Sequence, residues 1–245
     1  MSPAISTDHE KWAKLRDAVR AEMPNAVIPE PDRWRNLDDE ALWSIVVGQV
    51  AVIGRSEPWE RLAPRLAEKG ITYGRLVSEL ENSPTTEIAS RFHRAFSDAG
   101  VRYVGRSADG SGKATACARN FRRVRAFGGP REFVAVVSRI VGDDERIEFV
   151  IDVLSHVNLK GARDLLMELG MHRNSIALDA RVMSVLRAAG LSESESAPSK
   201  AEVYREIEMA IISNVADPFG LEPVVVDRTM YQRQKEIVTA LSSGR

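Results

Sequence analysis

The chain has 245 residues, enough for one large domain or two small lobes, with 44% hydrophobic and 28% charged residues. This balance is typical of a globular protein with a substantial core, and it excludes a disordered or fibrous chain. Lys and Arg number 34 against 35 Asp and Glu, so the net charge of -1 gives no global sign of a polyanionic partner.

Cysteine and histidine usage limits the chemistry further. The single cysteine, Cys117, excludes an intramolecular disulfide, a cysteine-only zinc site and a four-cysteine iron–sulfur cluster. The four histidines show no metal-ligand spacing, so neither a metal nor another cofactor is expected. Met1–Asp8 lacks the basic-then-apolar pattern of a signal peptide, and no apolar run approaches the roughly 18 residues of a membrane span. A cytoplasmic protein is therefore expected.

Apolar residues recur mainly at three- and four-residue intervals, which predicts helices along the whole chain. In chain order the predicted helices are Leu42–Ile53, Pro58–Lys69, Ile88–Phe96, Lys113–Phe127, Pro130 to about Val141, Asp144–Ser155, Gly161–Leu169, Ala180–Ala189, Ala201–Val215 and Pro223 to about Leu241. The residues expected to cap the starts of four of these helices are Asn36 or Asp38 for the first, Asp143 for the sixth, Asp179 for the eighth, and a Ser199–Glu202 capping box for the ninth. Gly100 is expected to end the third helix. These are about ten helices with no convincing strand pair, so an all-α fold is predicted.

Positive charge is concentrated between Arg102 and Arg131, where eight Lys and Arg residues face a single acid, Asp109. A segment of this density suits a phosphate backbone even in a protein without net charge. A solvated helix face is the plainer alternative and stays open.

The most informative stretch is Leu154–Leu191. Lys160 and Asp179 stand 19 residues apart, with one predicted helix and one loop between them. The chain can therefore bring an amine and a carboxylate to the same cleft. Each has a plain alternative: a first-turn lysine is usually solvated, and an Asp directly before a helix is an ordinary N-cap.

This stretch resembles the helix-hairpin-helix DNA glycosylases. Their hairpin reads L-P-G-(I/V)-G-x-K-x-A, and a later helix is preceded by (V/I)-D-x-(H/R)-(V/I). The residues that match the two patterns are Leu154, Val157, Lys160 and Ala162, then Ala177, Asp179, Arg181 and Val182. Weaker similarity extends over Leu37–Leu241, and within the superfamily the chain is most similar to the compact archaeal-type 8-oxoguanine DNA glycosylases.

The chain also departs from the hairpin pattern. His156 and Asn158 stand where the family has glycine, and Ser155 replaces its proline. Asn adopts left-handed backbone nearly as readily as any residue with a side chain, so a hairpin that turns N–H groups toward phosphate remains feasible. Histidine at position 156 adopts that backbone less readily. A single cysteine argues against the branch that carries an iron–sulfur cluster.

The resemblance implies a two-lobed helical fold over 37–241, with a cleft between the lobes and the hairpin at 154–162. It implies an N-terminal extension, 1–36, that packs on the core, and the Ser-rich segment 192–199 is interpreted as a flexible linker. The implied partner is double-stranded DNA that contains a damaged base or an abasic site, bound by a monomer and associated with the nucleoid.

The resemblance also assigns roles to residues. Lys160 would be the nucleophile and Asp179 the carboxylate that stabilises the sugar cation. The DNA contacts would come from His156, Val157, Asn158, Arg181, Arg119 and Arg122. Gln49 and Tyr231 would lie near the flipped base, although a buried glutamine satisfied by backbone and a core tyrosine are their plain alternatives.

The implied activity is that of a bifunctional glycosylase and lyase, with 8-oxoguanine as the expected lesion. A lysine amine attacks C1′, displaces the base, and forms a Schiff base that permits β-elimination. The base must leave the stack to be reached. Three alternatives stay open: a glycosylase for another modified base, a non-catalytic DNA-binding module that keeps the hairpin, and a helical interaction protein with a chance match.

Overall fold

The computed structural model describes residues 5–53, 56–108, 110, 112–194 and 198–243. Within these ranges the chain forms helices and no strand, so the predicted all-α class is confirmed. Two compact units are formed, one by Asp32–Met171 and the other by Met1–Pro31 together with His172–Arg245. In the described part of the chain no single helix is long and apolar enough to cross a membrane, and one pair bent by 107° reaches that length and composition only as a pair.

The α-helices, in chain order, are α1 (His9–Glu22), α2 (Asp39–Ala51), α3 (Glu57–Leu62), α4 (Tyr73–Leu80), α5 (Thr85–Ala99), α6 (Gly112–Ala126), α7 (Pro130–Arg139), α8 (Asp143–Val153), α9 (Leu159–Glu168), α10 (Ala180–Ala188), α11 (Ala201–Ile211), α12 (Pro223–Gln232) and α13 (Gln234–Ser243). Short 3₁₀ segments lie at Met23–Asn25, Arg33–Asn36, Ala63–Arg65 and Asp217–Phe219, and a π-helical turn at Ile212–Ala216.

The unit formed by Asp32–Met171 contains α2 to α9, with α2 in the middle. Asp38 caps α2 by accepting a hydrogen bond from Ala41 N at 2.8 Å, as predicted. Trp43 is fully buried and lies 6.0, 6.3 and 6.1 Å, between ring centroids, from Tyr73, Phe92 and Phe121. Aromatic burial of this kind contributes packing energy beyond the apolar area alone, so these rings fix α2 against α4, α5 and α6.

The unit formed by the two ends of the chain contains α1 and α10 to α13. α1 was not predicted from the sequence, although its apolar periodicity was present. Trp12, Leu15 and Val19 recur on one face and are buried, and Asp8 caps the helix by accepting from Glu10 N at 3.0 Å. α1 is therefore an integral helix of this unit.

Several predicted boundaries differ from the structure. The Pro58–Lys69 helix is broken after Leu62, and α4 was missed. Asp143 is the first residue of α8 and not its cap, and Lys200, without a side-chain cap bond, precedes α11 in place of the Ser199 capping box. The last predicted helix is interrupted at Arg233, which separates α12 from α13. In the predicted linker 192–199, residues 195–197 lie outside the described residues.

Candidate active site

The hairpin lies between α8 and α9 and is anchored by apolar side chains. Leu154, Val157 and Ala162 are 1%, 6% and 0% exposed. His156 has a φ of +63°, the left-handed backbone that side chains adopt at a cost. Position 156 is the first of the two positions where the related pattern has glycine. The turn therefore needs left-handed backbone at this position, and here a histidine adopts it.

Asn158 plays a different part from the one expected. Its backbone is extended, with a φ of -99°, and its side-chain oxygen accepts a hydrogen bond from Gly161 N at 3.0 Å. It is the N-cap of α9 and does not use the left-handed conformation. The hairpin therefore makes its tight turn at His156 and starts its helix at Asn158.

Two side chains of α6 fix the hairpin from the outside. Asn120, 1% exposed, accepts from Ser155 N at 2.7 Å and donates to Ser155 O at 3.1 Å. Arg123 donates to Val153 O at 2.6 Å and to the Ser155 hydroxyl at 3.3 Å. Asn120 was not predicted from the sequence to be a site residue. Its signal was an uncharged amide on the apolar face of a cationic helix, between Cys117 and Val124.

The backbone N–H groups of His156 and Val157 take no part in these anchoring bonds. No hydrogen bond joins the N–H groups of His156 or Val157 to another residue within the described ranges. They immediately precede the N-terminus of α9, where further N–H groups and the helix dipole favour an anion. Phosphate binding by the turn stays a prediction.

Lys160 lies in the first turn of α9 and belongs to a small polar network. Its Nζ is 3.5 Å from Oδ2 of Asp164, one turn further along the helix. Gln49 of α2 donates from Nε2 to the same carboxylate oxygen at 2.9 Å. The structure thus brings two predicted site residues, Lys160 and Gln49, together through Asp164, a residue that was not predicted from the sequence.

A second lysine, Lys113, deserves comparison because burial lowers its pKa to about 8. Its Nζ is enclosed and donates to Ala51 O at 3.0 Å and Ile53 O at 2.7 Å, at the end of α2. With 2% of its surface exposed, it joins the end of α2 to the start of α6. A lowered pKa alone therefore does not make Lys113 a nucleophile, since its nitrogen is not accessible.

The segment that leads to Asp179 is held by buried side-chain acceptors. Ile176 N donates to Glu208 at 2.9 Å, Ala177 N to Asp227 at 2.7 Å, and Leu178 N to the Tyr204 hydroxyl at 2.7 Å. The Tyr204 hydroxyl also donates to Ile176 O at 3.0 Å. Three successive amides outside any helix are therefore paired inside the protein, as buried backbone requires.

Asp179 itself caps α10, as predicted. Its Oδ1 accepts from Arg181 N and Val182 N, both at 2.9 Å, and the side chain is half-buried. These bonds hold the carboxylate in one orientation at the start of α10. Arg181 extends over the ring of Tyr231, 4.5 Å from its centroid, so this unit brings three of the predicted site residues together.

The predicted basic segment is largely engaged inside the protein. Arg122 donates to the carbonyls of Glu81 and Ser83, Arg125 pairs with Glu81, and Arg131 donates to Leu37 O. Arg119 is exposed on α6, as are Arg102 and Arg106 in the preceding loop. Whether Arg119 and Arg122 contact DNA stays a prediction, and Arg122 would do so only with donors not used by these two carbonyls.

Among the described residues, no three His, Cys, Asp or Glu side chains are grouped so that they could hold a metal ion. Comparison by sequence gives no matching family model and no matching curated protein.

Comparison by structure finds similar folds. The 8-oxoguanine DNA glycosylase of Methanocaldococcus jannaschii has a TM-score of 0.60 and 14% identity, over 92% of each chain. The glycosylase/lyase of the same organism in complex with a 15mer DNA containing 8-oxoguanine has a TM-score of 0.60 and 12% identity, over 93% of this chain and 96% of that one. The 8-oxoguanine DNA glycosylase of Thermotoga maritima has a TM-score of 0.58 and 17% identity, over 92% and 94%. The chain therefore has the helical fold of these glycosylases, which confirms the fold expected from the resemblance.

Proposed function

We propose that this protein is a DNA glycosylase with lyase activity that excises a damaged base from double-stranded DNA, with 8-oxoguanine as the first lesion to test. One observation carries the proposal: a lysine stands in the first turn of the helix that follows a hairpin whose turn leaves backbone donors available. The fold shared with glycosylase structures along more than 90% of the chain supports it.

In the proposed mechanism the hairpin binds a phosphate of the damaged strand. The N–H groups of His156 and Val157 and the start of α9 supply the donors, and Lys160 stands at the same helix end. The damaged nucleotide must be turned out of the helix, because its C1′ is not accessible in stacked DNA. Binding the backbone beside the nucleophile would place C1′ near Nζ.

The excision step uses both charged groups. As the glycosidic bond breaks, positive charge develops on the sugar and the ionised carboxylate of Asp179 stabilises it. The Lys160 amine forms a bond to C1′, and the base leaves with the bonding electrons. Opening of the sugar ring gives a Schiff base, which acidifies C2′–H and allows β-elimination of the 3′-phosphate.

The test is a panel of duplexes carrying oxidised purines, oxidised pyrimidines, alkylated bases or an abasic site, each incubated with and without borohydride. We expect reduction to trap a covalent adduct on at least one duplex, and peptide mapping to locate it at Lys160. Base release without trapping would indicate a glycosylase without lyase activity. DNA binding with neither base release nor trapping would favour a non-catalytic DNA-binding module, and no salt-dependent DNA binding would contradict the proposal altogether.

A further inference from the structure

A carboxylate that the proposed mechanism does not use lies next to the proposed nucleophile. Oδ2 of Asp164 is 3.5 Å from Nζ of Lys160, and the two side chains are only 19% and 23% exposed. Both belong to α9 and face the same side, since they are four residues apart. The contact is therefore sheltered from solvent screening more than an ordinary surface pair.

The order of the two charges does not favour the helix. A cation in the first turn opposes the helix dipole, and Lys followed by Asp is the weaker of the two four-residue arrangements. The pair thus adds little to the stability of α9. Helix stability does not explain why Lys160 and Asp164 lie together in this order, whereas a role of Asp164 in the chemistry of the Lys160 amine does.

Gln49 indicates that the position of the carboxylate is controlled. Its side chain is 8% exposed and donates to Asp164 Oδ2 at 2.9 Å across from α2. Its own carbonyl oxygen is buried without a partner among the described residues, an arrangement that costs free energy. The amide is therefore oriented toward Asp164 at the expense of its own oxygen.

We propose that Asp164 accepts the proton that Lys160 loses before its amine attacks C1′, and that Gln49 is a positioning residue for Asp164. The inference rests on the proposed function. An ammonium nitrogen has no lone pair, so the lysine must be deprotonated to react, and the Asp164 oxygen within reach of Nζ takes that proton.

The step balances in protons and electrons. A proton moves from the Lys160 ammonium to the Asp164 carboxylate, which gives a neutral amine and a carboxylic acid. The amine lone pair forms the bond to C1′, and the C1′–N bond breaks with its electrons on the base. The departing base anion takes the proton from Asp164, which restores the carboxylate for the next cycle.

The decisive variant is Asp164→Asn, which keeps the shape of the side chain and its bond to Gln49 but is a far weaker proton acceptor. In single-turnover reactions on the duplex that traps wild-type protein, we expect base release and adduct formation to slow by about 100-fold. The dissociation constant for the same duplex should change by less than about threefold. Glu168→Gln is the matched control, because it removes a carboxylate from the same helix, paired with Arg33 and not with Lys160. It should react at the wild-type rate.

A second variant keeps the test informative if the amide substitution disturbs folding. Asp164→Ala opens space beside Lys160. Added formate should raise the rate of base release by this variant at least tenfold, whereas chloride at equal ionic strength should not. Gln49→Met should slow the reaction by about tenfold. Combined with Asp164→Asn it should add no further loss, because it acts through that carboxylate.

The outcomes separate the two proposals. If wild-type protein traps no duplex, the proposed function fails first. If wild-type protein traps a duplex and Asp164→Asn traps it at the same rate, the role of Asp164 is wrong and the proposed function stands. Failure of formate to rescue Asp164→Ala, or additive losses from Gln49→Met and Asp164→Asn, would also overturn the inference.

Discussion

Two short segments of this protein lead into helices that carry the proposed chemistry, and they satisfy their backbone in opposite ways. In Ile176–Leu178, three successive amides bond to buried side chains of Glu208, Asp227 and Tyr204. In the hairpin turn, the amides of His156 and Val157 bond to no other described residue. The first segment is anchored inside the protein, whereas the amides of the second are the donors that the proposed mechanism assigns to an external phosphate.

The difference shows how each end residue is used. In the proposed mechanism Asp179 presents an oriented carboxylate, and the internal hydrogen bonds hold the segment that precedes it. In the proposed mechanism the hairpin binds an anion, and the hairpin is supported from outside the turn by Asn120 and Arg123 of α6. We therefore expect substitutions in the two segments to have separable effects on catalysis, stability and DNA binding.

The largest effect is expected at the hairpin side, for Lys160→Gln. Borohydride trapping and strand nicking should be abolished, because the amide of Gln forms no Schiff base. DNA binding should be retained, since the turn amides bind the phosphate. Lys14→Gln is a matched control, as Lys14 also pairs with an acid four residues away, Glu10. An adduct that persists in Lys160→Gln would locate the nucleophile elsewhere.

At the other segment, Asp179→Asn should slow base excision by about 10²–10³-fold with little loss of stability. The Asn side chain keeps an oxygen that can cap α10 but loses the charge that stabilises the sugar cation. Single-turnover excision and thermal unfolding measure the two effects. Asp38→Asn makes the same change at the N-cap of α2. Equal excision rates in both variants would make Asp179 a cap and nothing more.

Breaking the internal support should cost stability. Asp227 is 1% exposed, accepts from Ala177 N at 2.7 Å and lies 3.7 Å from the Arg228 guanidinium. Asp227→Ala removes the hydrogen-bond acceptor of the buried Ala177 N–H and a negative charge beside the buried Arg228 guanidinium. The free energy of unfolding should fall by about 3–5 kcal/mol. Urea unfolding measures it. A loss below 1 kcal/mol would show that the segment does not depend on this carboxylate.

Removing the external support of the hairpin should have a smaller effect on stability and a visible one on binding. Asn120→Ala deletes both bonds to Ser155 and should cost about 1–3 kcal/mol. The looser turn should also bind DNA more weakly. Asn214→Ala, which removes an amide bonded only to its own helix at Ala210 O, is the control. Unchanged DNA affinity in Asn120→Ala would show that DNA binding by the turn does not depend on its hydrogen bonds to Asn120.

The smallest change is expected for His156→Gly. Glycine adopts a φ of +63° without strain but has more freedom in the unfolded chain, so the net gain should be about 0.5–1 kcal/mol. DNA binding should stay within about threefold, because the backbone and not the imidazole supplies the donors. Tyr103→Gly, at a φ of +59°, is the matched control for stability alone. A large loss of affinity in His156→Gly would assign a role to the imidazole.

The sequence predicted the features that depend on local pattern. Helical periodicity, the cap at Asp38 and the position of Asp179 before α10 all depend on neighbouring residues, and all are confirmed. The hairpin was placed by its similarity to a known motif, although the left-handed residue proved to be His156 and Asn158 became a cap.

The side chains that complete the two segments were beyond local reasoning. Asn120 lies 35 residues from Ser155, and Gln49 lies 115 residues from Asp164. Asp227 lies 50 residues from Ala177. No spacing rule connects such pairs, because they meet only after the helices pack. The basic segment was misleading for the same reason: most of its guanidinium groups found carbonyl or carboxylate partners that the sequence does not reveal.

Those internal partners have a consequence for the thermodynamics of DNA association. A cation that is already bonded within the protein displaces few counterions from DNA, so Arg122, Arg125 and Arg131 should contribute little to the salt dependence of binding. Backbone amides bind phosphate without carrying a net charge. The release of counterions should therefore contribute less to DNA affinity than the eight cations between Arg102 and Arg131 suggest. The affinity should fall less steeply as ionic strength rises.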